Sequence, residues 1–561
     1  MTKKKVTSLF SYNIWNDMIR ASAVRNYMLD DPLIDYLQEY NIKNISDKPN
    51  NNKRRNINND NFSNYLMEEG VKFEEKVITE MKKYHNITTV CTSHRESRNI
   101  NKFNETINLM KKGENIIYQG VLHNYENKTF GVPDLIVRSD YINKLFNKNI
   151  ISLEEENIKS DKLNINFHYK IVDIKHCTIP FRKDNIHILN EGSVPAFKGQ
   201  LYIYTKALND ILGININRAY IFGKNNDVGL IDYDTIDTLY IEKTNKAIEW
   251  LRELKHKGQE FSLIPPSREE LYPNMKNSHD GYFRNIKNDI NAKINDITSI
   301  WWCGIQKRKH AHSNNILSWK DKRCNSKTMG FGLKDSRAHI VDKIIEINRD
   351  DSMIILPKVV NYDRENWYIK YNDILEIYID FETISDYIFL IGIGYIKNDL
   401  WYYEHFLLEE KSIESELNMF NKFNQYINNL LILEKKSKAK FFHWFHVEQS
   451  GYEKFKNKHS HMKFNDLEFY DLLKIFNNEP IVVKGALNFK LKDICKALYN
   501  HNLINTTWYD NVNNGLAVMV EAEKYYNNCM NKPIFFRDII KYNEIDCKVL
   551  WEIHNYLRNN H

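Results

Sequence analysis

The chain has 561 residues and a mass of 67.0 kDa, enough for two to four domains at roughly 150 residues each, which excludes a single small module. Charged residues at 27% and hydrophobic ones at 42% make a globular composition, neither disordered nor membrane-embedded. Lysine and arginine total 79 against 73 acids, and the resulting +6 is too slight at this length to mark a protein that coats a polyanion, though it permits local basic tracks.

The N-terminus, MTKKKVTSLFSY, lacks the apolar core of a signal peptide, and the longest apolar run, Ile388 to Ile396, falls far short of the roughly 20 residues that span a bilayer. The expectation is a soluble intracellular protein, in the cytoplasm or a replication compartment, with no membrane partner. Seven cysteines, Cys91, Cys177, Cys303, Cys324, Cys495, Cys529 and Cys547, form no CxxC pair and are read as reduced thiols.

In chain order, Asn41–Asn61 is polar, basic and without apolar periodicity, which predicts a mobile surface insertion. Leu66, Phe73, Val77, Ile78 and Met81 then recur near helical spacing and predict an amphipathic helix over Tyr65–Tyr84. Apolar runs of strand length follow at Asn115–Val121, Gly131–Val137 and Tyr169–Ile174, before helical patterns at Gln200–Leu208 and Ile236–Leu254. That succession predicts an α/β domain over residues 1–265. Residues 266–355 read as a helical connector containing the Trp301-Trp302 pair, whose better reading is core packing. From 356 to 561, three consecutive strands in LEIYIDFETI, FLIGIGYI and WYYEHFLLE, with helices around Ser415–Leu433, Leu487–Leu498 and Phe535–Leu557, predict a second α/β domain.

Two constellations carry chemistry. In IVDIKHC, a strand's period of two puts Asp173 and Lys175 on one face, and Asp134, after Pro133, lies far enough upstream for a hairpin to return it alongside. The two aspartates can share a divalent cation, Mg²⁺ or Mn²⁺, with Lys175 beside it to orient water. Gln200 and Tyr204 share a helical face, and Glu74 sits on the preceding helix with Glu75 as the alternative acid. A surface ion pair is the plain alternative for Asp173 and Lys175 taken alone.

This ordered set resembles the PD-(D/E)xK nucleases of the RecB type, a restriction-endonuclease-like fold, over roughly residues 60–260. The resemblance implies that Asp134 and Asp173 are metal ligands, Lys175 the catalytic lysine, Glu74 a supporting acid, and Gln200 and Tyr204 active-site supports. Relatives often hold an iron-sulfur cluster on four cysteines; only Cys91 and Cys177 fall in this region, so no cluster is expected.

In EIYIDFETI the same period aligns Asp380 with Glu382, two carboxylates whose repulsion asks for a cation. KYNEIDCKVL puts Tyr542 and Asp546 at i and i+4 of a helix, and FFHWFHVEQ offers Glu448 after a strand, with His443 and His446 nearby and left without a role. Asp471, in FYDLLKIF, reads as a cap or a supporting partner. The order of these motifs resembles DEDD exonucleases of the ribonuclease H-like fold, more closely the domain that follows a RecB-like nuclease in an uncharacterised two-nuclease group. It implies Asp380, Glu382, Glu448 and Asp546 as ligands of two Mg²⁺ ions, with Tyr542 orienting the attacking water. Edge-strand charges and a buried tyrosine are the plain alternative.

The expected function is a metal-dependent nuclease with two separate sites, acting on DNA, single-stranded ends included, in repair, recombination or processing. An RNA-processing exonuclease, or a binding scaffold with one or both sites inactive, are the rivals. No GxxxxGK[ST] loop occurs, so a motor would be a separate helicase partner.

Overall fold

The computed structural model describes residues 14–47, 61–462, 464, 466–508, 515–528 and 533–561. The N-terminal stretch quoted above, most of the insertion expected at 41–61, and Cys529 lie outside the described residues. The chain splits into two compact units, Met1–Lys293 and Ile294–His561, both mixed α/β.

In the first unit, the apolar stripe around Val77 and Ile78 folds as helix α1 (Asn61–Lys82). It packs on a sheet of six strands in the order β1 (Thr88–Thr89), β2 (Ile116–Tyr118), β3 (Leu135–Arg138), β4 (Tyr169–Ile174), β5 (Arg218–Phe222), β6 (Val228–Asp232). Strands β2, β3 and β4 are successively antiparallel, and β5 returns parallel to β4. The crossover between them carries helix α2 (Val194–Leu212), ended by Gly213 in the left-handed region, and helix α3 (Leu239–Lys257) follows β6. Strand β4 is buried along its whole length, yet its period of two still sorts it. Tyr169 and Ile171 join a core with Leu201, Ile203 and Tyr204 of α2, while Val172 and Ile174 join the α1 side with Val77 and Ile78.

The second unit has a five-stranded sheet built on β7 (Ile374–Ile384), β8 (Tyr387–Lys397), β9 (Leu400–Leu407), β10 (Lys438–His443) and β11 (Glu468–Asp471), in the spatial order β9-β8-β7-β10-β11. The first three strands form an antiparallel meander, and β10 and β11 then add parallel to β7. Helix α4 (Ile413–Glu434) connects β9 to β10, α5 (Val447–Lys458) follows β10, and α6 (Leu491–Asn500) and the long α7 (Pro533–Asn560) come last. The segment after Ile294 belongs to this unit: Ile300, Cys303, Ile316 and Trp319 share a core with Val549, Leu550 and Ile553 of α7, and Trp301 and Trp302 pack half-buried against it. Among the described residues no helix is long and apolar enough to cross a membrane, and the six described cysteines are free thiols.

Candidate active sites

The first unit gathers the six residues of the first constellation around the ends of β2, β3 and β4. Asp134 immediately precedes β3, and its Oδ2 accepts the Ile174 backbone N–H at 2.7 Å, which ties it to the end of β4. Asp173 is 1% exposed, and one of its carboxylate oxygens pairs with the Lys175 ammonium. Burial and then the Asp173 charge hold the Asp134 carboxyl well above the usual carboxylate range, while Lys175 pulls it down. Burial works against the Lys175 charge, but Asp173 and Asp134 together outweigh it and keep the ammonium protonated beyond its ordinary value.

Glu74 reaches this cluster from α1: its Oε1 accepts the Tyr118 hydroxyl at 2.8 Å and the Gln119 amide at 3.0 Å, and its charge acts on Asp134. Glu75, the alternative, is exposed on the same helix. From α2, Gln200 Nε2 donates to Tyr204 Oη at 2.9 Å, and burial, then Asp173, raises the Tyr204 phenol far above its ordinary value. Gly131 makes room for that ring, since a Cβ there would stand 2.2 Å from a Tyr204 ring carbon. Tyr118 and Gln119 had no signal in the sequence beyond their place inside the apolar run Asn115–Val121.

In the second unit, β7 and α7 bring Asp380, Glu382 and Asp546 together, with one carboxylate oxygen from each within 4.8 Å of the others. No other group of three or more potential ligands meets that spacing among the described residues. Glu448 lies outside it, on the first turn of α5, and its charge acts on all three acids. It is 4% exposed, and its Oε2 lies 3.1 Å from His443 Nδ1 at the end of β10. His446 is exposed at the start of the helix and does not join it. Asp471, at the end of β11, ties two backbones together: its Oδ1 accepts the N–H groups of Phe445 at 2.8 Å and Leu473 at 3.0 Å.

Burial first, and mutual repulsion second, hold all three carboxyls well above the usual range: Asp546 acts on Asp380, Asp380 on Glu382, and Glu382 on Asp546. Lys492 of α6 pulls each of them down, yet it is exposed and its Nζ rests on aromatic faces, 4.7 Å from the Tyr542 ring and 5.5 Å from the Trp508 ring. Tyr542 lies one helical turn before Asp546, and burial, then that carboxylate, keeps its phenol protonated far beyond its ordinary value. Asn543, next to it, donates Nδ2 to Asp380 Oδ2 at 2.7 Å and accepts the Tyr403 hydroxyl at 2.8 Å.

That arrangement explains Gly392 on β8, the register partner of Asp380: a Cβ there would lie 1.5 Å from Asn543 Oδ1. Asn543, Lys492 and Gly392 escaped the sequence reading. Asn543 borders Tyr542 in KYNEIDC, but only the helix phase shows that it faces Asp380. The site's donors are all hard carboxylate oxygens, closely gathered and mutually raised, a set that fits Mg²⁺ or Mn²⁺.

The family model of the RNase_H superfamily matches residues 377–558, from the third residue after the start of β7 to near the end of α7. The C-terminal region is therefore RNase H-like, and the match points to a metal-dependent nuclease acting on nucleic acid. It begins beyond the first constellation. Among curated proteins, nothing matches the chain.

Proposed function

We propose that the chain is a divalent-metal-dependent nuclease with two separate centres, hydrolysing phosphodiester bonds of DNA. The observation that carries the reading is the convergence of Asp380, Glu382 and Asp546, within 4.8 Å of one another, inside the RNase H-like region. Asp380, Glu382 and Asp546 hold the metal, with Glu448 as the fourth acid. Divalent cations bound there would supply Lewis acidity to the scissile phosphate and acidify water.

The chain's own residues do the rest. Asn543 fixes the Asp380 carboxylate through its Nδ2, and His443 steadies Glu448. The Tyr542 phenol, kept protonated, donates to the attacking water and sets its line of approach. Lys492, exposed beside the acids, offers its positive charge to the incoming phosphate.

In the first unit the reading is a PD-(D/E)xK centre. It is supported by the order helix, three antiparallel strands, crossover helix and parallel strand, and by Asp134, Asp173 and Lys175 meeting at the strand ends. There Asp134 and Asp173 hold a cation, Lys175 orients water as a charged ammonium, and Glu74, Gln200 and Tyr204 keep the acids and the substrate in place.

End-labelled single-stranded DNA, duplex DNA and RNA, each incubated with the full chain under Mg²⁺, Mn²⁺ and chelator, test this reading. DNA cutting that chelator stops is expected. RNA cutting alone would reassign the substrate, and cutting unaffected by chelator would remove the metal from the account.

A further inference from the structure

Between Trp301 and Ile340 the sequence holds nine lysines and arginines against two aspartates, a balance of +7 in a chain whose total is +6. The rest of the chain sums to −1, so this segment is far more basic than the chain as a whole. That segment is anchored from beneath: Cys303, Ala311, Ile316, Trp319, Cys324, Met329 and Phe331 are buried in the core of the second unit. Helix Ile305–Ser313 and the turns after it are pinned further where Arg349 donates to the carbonyls of Trp319, Asp321 and Cys324.

The few local acids are already committed. Asp321 pairs with Arg323, Asp335 with Arg337, and the buried Arg308 with Asp296. Of the six lysines here, Lys307 acts on Asp335, and Lys309, Lys320, Lys322, Lys327 and Lys334 make no ion pair among the described residues. All but Lys307 are exposed, and Lys307 spends its ammonium on the Gly330 carbonyl and the Phe331 ring. Like charges fixed on one rigid segment repel each other, and a polyanion relieves that repulsion while releasing its own counterions.

We infer that this lysine-bearing segment, which contributes no residue to either acidic cluster, is a docking surface for the phosphate backbone of nucleic acid. Membrane binding is disfavoured because the helix at its heart, IQKRKHAHS, has no apolar face to insert. Backbone recognition of this kind carries no base preference, so the surface would raise residence on the strand rather than choose a sequence.

The test is equilibrium binding of a fluorescent duplex and a fluorescent single strand to the full chain in chelator, read by anisotropy across 50–200 mM salt. The comparison variant carries Lys309→Gln, Lys320→Gln, Lys322→Gln, Lys327→Gln and Lys334→Gln, with circular dichroism to confirm folding and a five-fold Lys→Arg variant as the conservative control. The expected result is weaker binding by the glutamine variant and a plot of log K against log salt flatter by about 2 to 4 on duplex, at roughly 0.9 per lost phosphate contact. The arginine variant should bind like the parent. Parent-like affinity and slope in the folded glutamine variant would overturn the inference, as would lysine-dependent binding to phosphatidylserine vesicles without binding to nucleic acid. Binding is measured without metal or cleavage, so its failure is distinguishable from failure of the nuclease reading.

Discussion

At the scale of single residues, the proposed second centre would divide its labour between groups that hold charge and groups that aim it. Tyr542 and Asp546 lie one turn apart on α7, but only the carboxylate belongs to the close acidic group. Tyr542→Phe should therefore lower turnover by roughly 10² to 10⁴-fold, the range for a positioned proton donor, with metal affinity preserved. Asp546→Asn should weaken metal binding itself. Turnover measured against Mn²⁺ concentration separates them: rescue of Tyr542→Phe to the parent rate by excess metal would make the tyrosine structural.

The same acids make a prediction about pH. Burial and Asp546 raise the Asp380 carboxyl in the folded chain, so the folded state binds protons more tightly than the unfolded one. Stability then falls as pH climbs from the unfolded value, about 3.9, through the raised folded one. In chelator, Asp380→Asn should melt at the same temperature as the parent in acid and higher at neutral pH, the gap opening as pH rises. Adding Mn²⁺ should close or reverse that gap, because only the parent gains the full binding energy. A gap independent of pH, by differential scanning fluorimetry, would contradict the shift.

Among the elements, β8 shows how a site depends on a strand that contributes no catalytic group. Gly392 leaves the space into which Asn543 reaches toward Asp380. Gly392→Ala should cost about 1 to 3 kcal/mol by overpacking and reduce activity through the displaced amide. Combined with Asn543→Ala the stability cost should shrink, since the clash partner is gone, and strictly additive costs by denaturant unfolding would refute the contact.

The periodic elements were legible in the sequence. The alternation in LEIYIDFETI and the i, i+4 pair in KYNEIDC placed Asp380, Glu382, Tyr542 and Asp546 on their strand and helix, because period two and period 3.6 fix which side chains share a face. The hairpin of β5 and β6 went unread, since asparagine is so abundant here that NN between two short apolar runs no longer marks a turn. Glu448 was read as following a strand, and it does follow β10, but the short helix α5 that carries it went unread. Asn543 and Lys492 depend on packing between elements distant in sequence, which periodicity cannot report.

The whole molecule divides into two compact units, each with its own cluster of acids, and the second also carries a strongly basic segment. Asp173→Ala in the first unit and Asp380→Ala in the second should each remove one activity and leave the other, as the centres share no residue. The most direct measurement is therefore hydrolysis of end-labelled single-stranded DNA, titrated with Mn²⁺, by the full chain carrying Asp173→Ala and by the same chain carrying Asp173→Ala with Asp380→Ala. The first should cut in proportion to bound metal and the second, still folded, should not cut. Undiminished cutting by the double variant would show that Asp380, Glu382 and Asp546 are not the hydrolytic centre.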